Sequence, residues 1–445
     1  MAAAHQALRS AKQHAKQLEV IALEMSGHTS YSQCGLPYWI AGDVADADAL
    51  VARSAEEHRA RGVDLRMHHE AVGLDLAAGT VAVRDHATGE DLTLGYDELM
   101  LATGAAPVVP DWALIDGALP EGVAVVKTLD DGATWHRLLD DEPATAVVVG
   151  GGYIGVAVAE SFARRGVSTT LVTRRTPMRA SMVPELTEQV QRGLEEIGVT
   201  VCTGSPISGM ERRPDGYAVV TEDGVEHHGA VVALALGVSP RGELGEGRLP
   251  VADDEHPWAR GAFLPDHQQR LADGVWTAGD CSAVYDIVMN AWNYRPLGTH
   301  ANKAGRIAGI NIGGGSATFR GACGTAITRA GEVEVARVGL LPDWADRLGI
   351  EYVTASLGST TATGYMPEAS PMRLWGIAEK GTGRLLGCQI TGGRGAGKRI
   401  DIIATAIFAG MTAHDVAYAD LAYAPPFSPT WDPVQILCRK LDDLA

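Results

Sequence analysis

The sequence predicts an α/β chain built on two βαβ units and closed by an α+β domain, and three observations carry that expectation. A hydrophobic strand, Ala146 to Val149, runs into Gly150-Gly151-Gly152-Tyr153-Ile154-Gly155, then a helical stretch, then the strand Thr169 to Val172. An earlier helix and strand end on the acid Glu24, the residue type that closes the second strand of such a unit. The last part, from roughly Gly321, mixes short Val- and Ile-containing strands with helices and has no glycine-rich loop, so it reads as an interface or capping domain.

Composition bounds the possibilities. With 445 residues, 46% apolar and 6% aromatic, the chain should form several domains with cores of small aliphatic side chains. The expected boundaries are 1–124 for the first part of the first βαβ domain, 125–250 for the second domain, 251–318 for the return to the first, and 319–445 for the last. Lys and Arg number 37 against 55 Asp and Glu, a net charge of −18, which argues against nucleic acid and anionic membrane as partners. Six cysteines, at 34, 202, 281, 323, 388 and 438, include no Cys-x-x-Cys pair and no metal-ligand spacing. A reducing compartment follows, with neither a disulfide framework nor a bound metal. No apolar leader and no run near the roughly 18 residues of a membrane span is present, so a cytoplasmic protein is expected.

Taken in order, Met1 to Gln17 reads as a helix and Val20 to Glu24 as a strand. A βαβ unit would place a first strand and a glycine turn before that helix. The sequence has neither, so it is expected to begin inside its own first motif, through a misassigned start or a truncation. Next comes Ser30-Tyr31-Ser32-Gln33-Cys34-Gly35-Leu36-Pro37-Tyr38, with Cys34 ten positions after Glu24. Tyr96 to Ala102 is a strand running into the turn Thr103-Gly104-Ala105-Ala106-Pro107. After the second unit, Val231 to Leu236 is a strand ending at Gly237, and Gly274 to Asp280 is a strand and turn with a terminal acid. Pro296 to Asn302 begins a helix with Thr299 as its cap, and helices follow at Lys398 to Gly410 and Ala413 to Asp420.

Three of these segments carry chemistry. Gly150, Gly152 and Gly155, with Tyr153 and Ile154 between them, allow a tight turn and let backbone amides approach a pyrophosphate at a helix start. Where sites selective for NAD carry an acid, this chain has Thr173-Arg174-Arg175. Two fork-shaped cations suit a 2′-phosphate, so NADPH is expected over NADH, the alternative being a solvated basic turn. Gly-Leu-Pro after Cys34 would open a helix whose first amides favour a thiolate, the form that attacks disulfides and peroxides. The alternative is a buried structural cysteine. Asp280 suits a sugar-like hydroxyl chain or equally a helix cap.

Glu24, the Cys34 segment, Ala102-Thr103-Gly104, Gly150 to Gly155, Thr277 to Asp280, Pro296 to Asn302 and Leu421 to Ser428 occur in an order that resembles the single-cysteine pyridine nucleotide-disulfide oxidoreductases. Within them the chain is similar to the coenzyme A-disulfide reductase and NAD(P)H oxidase/peroxidase group, from Met1 to Pro433. The resemblance implies two Rossmann-like dinucleotide-binding domains, the first lacking its initial strand and glycine loop, plus a C-terminal α+β dimerisation domain and a homodimer. It implies FAD, with Glu24 on the adenosine ribose, Thr103 and Gly104 along the nucleotide, Asp280 on the ribityl chain, and Thr299 and Ala301 at the flavin's pyrimidine edge. Gly237 joins the glycine loop among the cofactor-binding residues. Cys34 becomes the redox thiol, and Tyr365 and Tyr423 reach the partner subunit's site or simply pack the interface. The acceptor is then a small thiol or disulfide such as coenzyme A disulfide, with Arg9 and Lys12 as candidate phosphate contacts or a solvated helix face. The alternatives are oxygen or peroxide, handled through a sulfenic acid, and a catalytically silent NADP-binding chain. One departure stands out: Ala157 occupies the position where the family usually has Glu.

Overall fold

The computed structural model describes residues 1–445, and the chain divides into two compact units. The first comprises Met1–Leu36, Ala45–Ala106 and Val238–Ala322, and the second Pro37–Val44, Pro107–Gly237 and Cys323–Ala445.

In the first unit, helix Ala2–Gln13 buries Ala3, Ala7 and Ala11 along helix Gly298–Ile312. Glycines set the closeness of that packing. A Cβ on Gly309 would fall 2.4 Å from the Ala3 carbonyl oxygen, and one on Gly313 would fall 2.6 Å from that of Ala7. The first helix stops at Gln13 rather than at the expected Gln17. Ala15 takes a left-handed φ of 52° and the Lys16 amide bonds back to the Ala11 carbonyl at 2.9 Å, which closes the helix as a Schellman turn. Strand Val20–Glu24 forms where expected and pairs in parallel with Val63–Met67. Strand Leu99–Leu101 is shorter than the expected 96–102, because the Tyr96 amide is already bonded to Gly79 at the end of the preceding antiparallel hairpin. Val275–Thr277 lies parallel to it. Leu74, Val83, Leu101, Phe263 and Val275 fill the core beneath.

The second unit holds a five-stranded parallel sheet in the order Thr200–Thr203, Ser168–Thr173, Thr145–Val149, Val231–Leu234, Val123–Val125. Ala146 to Val149 are all buried, as the strands of a sheet covered on both faces require. The same unit contains an antiparallel sheet ordered Ala326–Ala330, Val333–Gly339, Leu385–Gly392, Pro371–Glu379, Tyr352–Thr360. Buried polar bonds join the two layers: Gln389 accepts from the Val183 amide at 2.7 Å, and Glu160 from the Gly331 amide at 3.1 Å. The helices expected at 398–410 and 413–420 are Ile400–Ala409 and Ala413–Ala417. Gly410, at φ 75°, ends the first of them.

Candidate active site

In the second unit the glycine loop is shaped by contacts no larger residue would survive. Gly150 has φ 113°, and a Cβ there would lie 2.4 Å from the Ala235 carbonyl oxygen; a Cβ on Gly155 would lie 1.7 Å from that of Gly150. Gly152 differs. It is exposed, starts helix Tyr153–Arg164, and has no heavy atom within 4 Å of an added Cβ. Two glycines therefore fold the turn and the third leaves room beside the helix start, where backbone dipoles favour an anion. Tyr153 and Ile154 are half-buried in the first turn. Thr173 ends the next strand, and Arg174 and Arg175 follow it exposed. Gly237, with φ 98° and open space around it, follows the adjacent strand Val231–Leu234.

In the first unit, four expected residues lie at or just past the carboxyl ends of three parallel-paired strands. Glu24 closes Val20–Glu24 and accepts from the amide and hydroxyl of Ser26, each at 2.8 Å. Thr103 and Gly104 follow Leu99–Leu101; the Thr103 hydroxyl donates to the Arg241 carbonyl at 2.5 Å. Asp280 follows the neighbouring Val275–Thr277, and its carbonyl accepts the Tyr294 hydroxyl at 2.9 Å. Glu24 ends a strand of a two-stranded sheet and the others follow strands of a separate three-stranded sheet; carboxyl ends of parallel strands are where ligands bind in α/β folds. A cleft here is lined by Gly279, Ser282, Arg295, Leu297, His300 and Ala301. Thr299 is not the cap expected of it. Helix Gly298–Ile312 starts two residues earlier than that cap would place it, with Leu297 at the capping position and no side-chain cap bond, so Thr299 stands exposed in the first turn.

Cys34 is exposed on a single 3-10 turn, Gln33–Gly35, which leads into the short helix Leu36–Ile40. The Ser32 amide bonds to the Leu50 carbonyl at 2.9 Å, and Gly35 sits so close to Leu50 that a Cβ would lie 2.4 Å from its Cδ2. The chain after it belongs to the second unit. There the Ser161 hydroxyl donates to the Pro37 carbonyl at 2.7 Å, and Arg164 grips both oxygens of Asp43. Ala157, Glu160, Tyr38 and Arg329 line a shallow cleft beside them. Burial pushes the Glu160 carboxyl above its ordinary value, opposed by Arg329 at 3.2 Å. Tyr365 and Tyr423 are 73% and 48% exposed. The segments bearing them are stitched together, Thr363 donating through its amide to Pro425 and through its hydroxyl to Ser428.

Residues 1–295 match the family model described as pyridine nucleotide-disulphide oxidoreductase, and residues 326–433 match that family's dimerisation domain. The chain belongs to this family. An NAD(P)H coenzyme A polysulfide/persulfide reductase of Pyrococcus horikoshii is 32% identical over 95% of this chain and 92% of its own length. An NADH oxidase of Methanocaldococcus jannaschii is 27% identical over 96% of this chain and 93% of its own. The structure of an NAD-dependent persulfide reductase from A. fulgidus, 31% identical, superposes with a TM-score of 0.91, covering 98% of this chain and 81% of that one. No helix of the chain is long and apolar enough to cross a membrane.

Pyridine nucleotide-disulphide oxidoreductases use FAD and NAD(P)H, and the first unit offers room that fits a flavin nucleotide. Gly104 at φ 75°, Gly279 at φ 96° and Gly298 each have open space where a Cβ would stand, along the strand ends and the uncapped helix start. Two features of this oxidoreductase escaped the sequence. Asp286, fully buried, is held by Arg295 at 2.6 and 2.8 Å behind the cleft. His300, also in the cleft wall, is buried and its imidazole is pushed below its ordinary value by that burial. An Asp nine residues before an Arg in a polar loop carries no periodic signal, whereas a His in the first turn of a helix that follows Leu-Gly-Thr was open to suspicion.

Proposed function

We propose that this oxidoreductase reduces a small disulfide of the coenzyme A class with electrons from NADPH, through FAD and the single thiol of Cys34, as a cytoplasmic homodimer. FAD binding is assigned to 1–124 and 251–318, NADPH binding to 125–250 and dimerisation to 319–445. Bound FAD would supply the two-electron chemistry that links the nicotinamide nucleotide to the thiol. Glu24, Thr103, Gly104, Asp280, Thr299 and Ala301 would hold it along the strand ends and the helix start. Gly150, Gly152, Tyr153, Ile154, Gly155 and Gly237 would seat the NADPH pyrophosphate, and Arg174 and Arg175 its 2′-phosphate.

The chain's own chemistry lies at sulfur. The Cys34 thiolate attacks one sulfur of the substrate disulfide, forming a Cys34 mixed disulfide and expelling the second sulfur as a thiolate. Overall one disulfide, one NADPH and one proton give two thiols and NADP⁺. One protein thiol suffices because the substrate brings the other sulfur. Tyr365 and Tyr423 would be presented to the partner subunit's site. Carrying this assignment is the exposure of Cys34 on a turn clamped by Leu50, together with the coenzyme A-linked name of the Pyrococcus relative.

The test is anaerobic NADPH consumption with coenzyme A disulfide in the FAD-loaded protein, with and without Cys34→Ser. Replacement is expected to lower kcat by at least about 10³-fold, as loss of a nucleophile does. Retained turnover in Cys34→Ser would sink the assignment. The name of the Methanocaldococcus relative supports a second reading, an oxidase that passes through a Cys34 sulfenic acid; consumption that requires oxygen or peroxide selects it. A purified protein without a flavin absorbance band would favour the silent NADP-binding alternative.

A further inference from the structure

Behind the turn that carries Cys34 lies a pair of histidines that the proposed chemistry does not use. His58, on helix Ala55–Ala60, has no exposed surface. Its Nδ1 stands 2.7 Å from Nε2 of His5 on the first helix, and its Nε2 stands 2.8 Å from Oγ of Ser30. The two rings stack with centroids 5.0 Å apart and an interplanar angle of 24°. Ser30, four residues before Cys34, has a left-handed φ of 51°, a conformation that non-glycine residues hold only when their surroundings fix it. Two bonds do so: the Ser30 carbonyl accepts from the Ala52 amide at 2.9 Å, and its hydroxyl is tied to His58.

A neutral imidazole has one donor and one acceptor, so the chain Ser30–His58–His5 is satisfied in either direction. The serine hydroxyl donates to His58, which donates to His5, or the order reverses. The charged groups facing the pair are all basic: Arg9 and the Met1 amino group from the first helix, and Arg53 and Arg61 on either side of the His58 helix. Burial first and these cations second push both imidazoles below their ordinary value, His58 to about 4. No acid is present to reward a charge there. The bonds to Ser30 and His5 are what this arrangement protects.

We infer that His58, braced by His5, is a positioning residue for Cys34, fixing through Ser30 the turn on which the thiol is presented. This rests on the assignment of Cys34 as the redox thiol, and the experiment keeps the two apart. In the full-length protein, the rate of Cys34 alkylation by iodoacetamide is followed from pH 6 to 9 by peptide mass spectrometry. It is measured for the unchanged chain, Ser30→Ala, His58→Gln and His58→Ala, beside their thermal unfolding. Removing one such hydrogen bond is expected to change the alkylation rate by about three- to tenfold and to displace its pH profile in Ser30→Ala. His58→Gln, which keeps a donor, should recover part of what His58→Ala loses. Unchanged rates and profiles in Ser30→Ala and His58→Gln, with only the melting temperature lowered, would overturn the inference and leave His58 an ordinary core residue. Alkylation decides the positioning role whether or not Cys34→Ser abolishes turnover, which decides the redox role separately.

Discussion

The helix start at Gly152 and the helix start at Gly298 treat charge in opposite ways. Near the first, Arg174 and Arg175 stand exposed at the end of the neighbouring strand, with no carboxylate or carbonyl engaged. Near the second, the strong charges are matched inside the fold. Asp286, with no exposed surface, takes both Arg295 nitrogens and the amides of Val288 and Met289. An exposed, unpaired guanidinium adds little to folding and gains energy when an anion arrives. A buried pair shapes the wall of its cleft and is costly only when broken. Substitutions in the first region should therefore be read in ligand affinity, and those in the second in stability.

Asp286→Ala is the strongest way to break this contrast. It takes from the buried Arg295 the carboxylate that holds it and from the Val288 and Met289 amides their acceptor, and the expected loss is about 3–5 kcal/mol of stability. Urea unfolding measures it; a loss under about 1 kcal/mol, the range of an exposed pair, would mean that the pair is hydrated and the comparison wrong. Arg174→Ala combined with Arg175→Ala is the converse. The preference for NADPH over NADH, measured as a ratio of kcat/KM, should fall about 10- to 100-fold, the scale of one or two charge-assisted hydrogen bonds. Unfolding of that variant should stay within about 0.5 kcal/mol of the unchanged protein, as for other surface changes.

The same division explains what the sequence disclosed. The glycine loop is a local motif: six residues between a strand and a helix determine both the turn and the opening at Gly152, so spacing together with the flanking strand and helix pattern located it. Cys34, Glu24 and Asp280 each sit at or near the end of a recognisable strand or before a recognisable helix, so their residue types could be read, although the roles expected of them came only from resemblance. His5 and His58 are 53 positions apart and meet through tertiary packing alone. A threonine near a helix start is the usual cap, which is what points to Thr299 in the sequence, whereas here Leu297 takes an extended conformation and the helix begins at Gly298 with no side-chain cap bond. The first helix ends at Gln13, short of the Gln17 that the sequence suggests, for a related reason: nothing in Ala15 advertises the left-handed conformation that ends it.

pH offers a milder way to separate the two units, because their buried titrating groups are displaced in opposite senses. In the first unit His58 is lowered from 6.5 to about 4 by burial first and by neighbouring cations second. Its folded form binds the proton less readily than its unfolded form, so its contribution to stability is present above about pH 6.5 and fades as pH falls toward 4. In the second unit Glu160 is raised by burial against the pull of Arg329. Its folded form keeps the proton longer, so its contribution is present below the ordinary carboxylate value near 4.5 and is lost as pH rises through the raised value. Amide-exchange protection factors along residues 52–58 should therefore decline between pH 6.5 and 4, and that decline should flatten in His58→Gln. Protection at Gly331, whose amide donates to Glu160, should not share the decline, and in Glu160→Gln it should lose whatever dependence it shows on the alkaline side of 4.5. Parallel pH dependence at both places would mean that neither buried group governs its own surroundings.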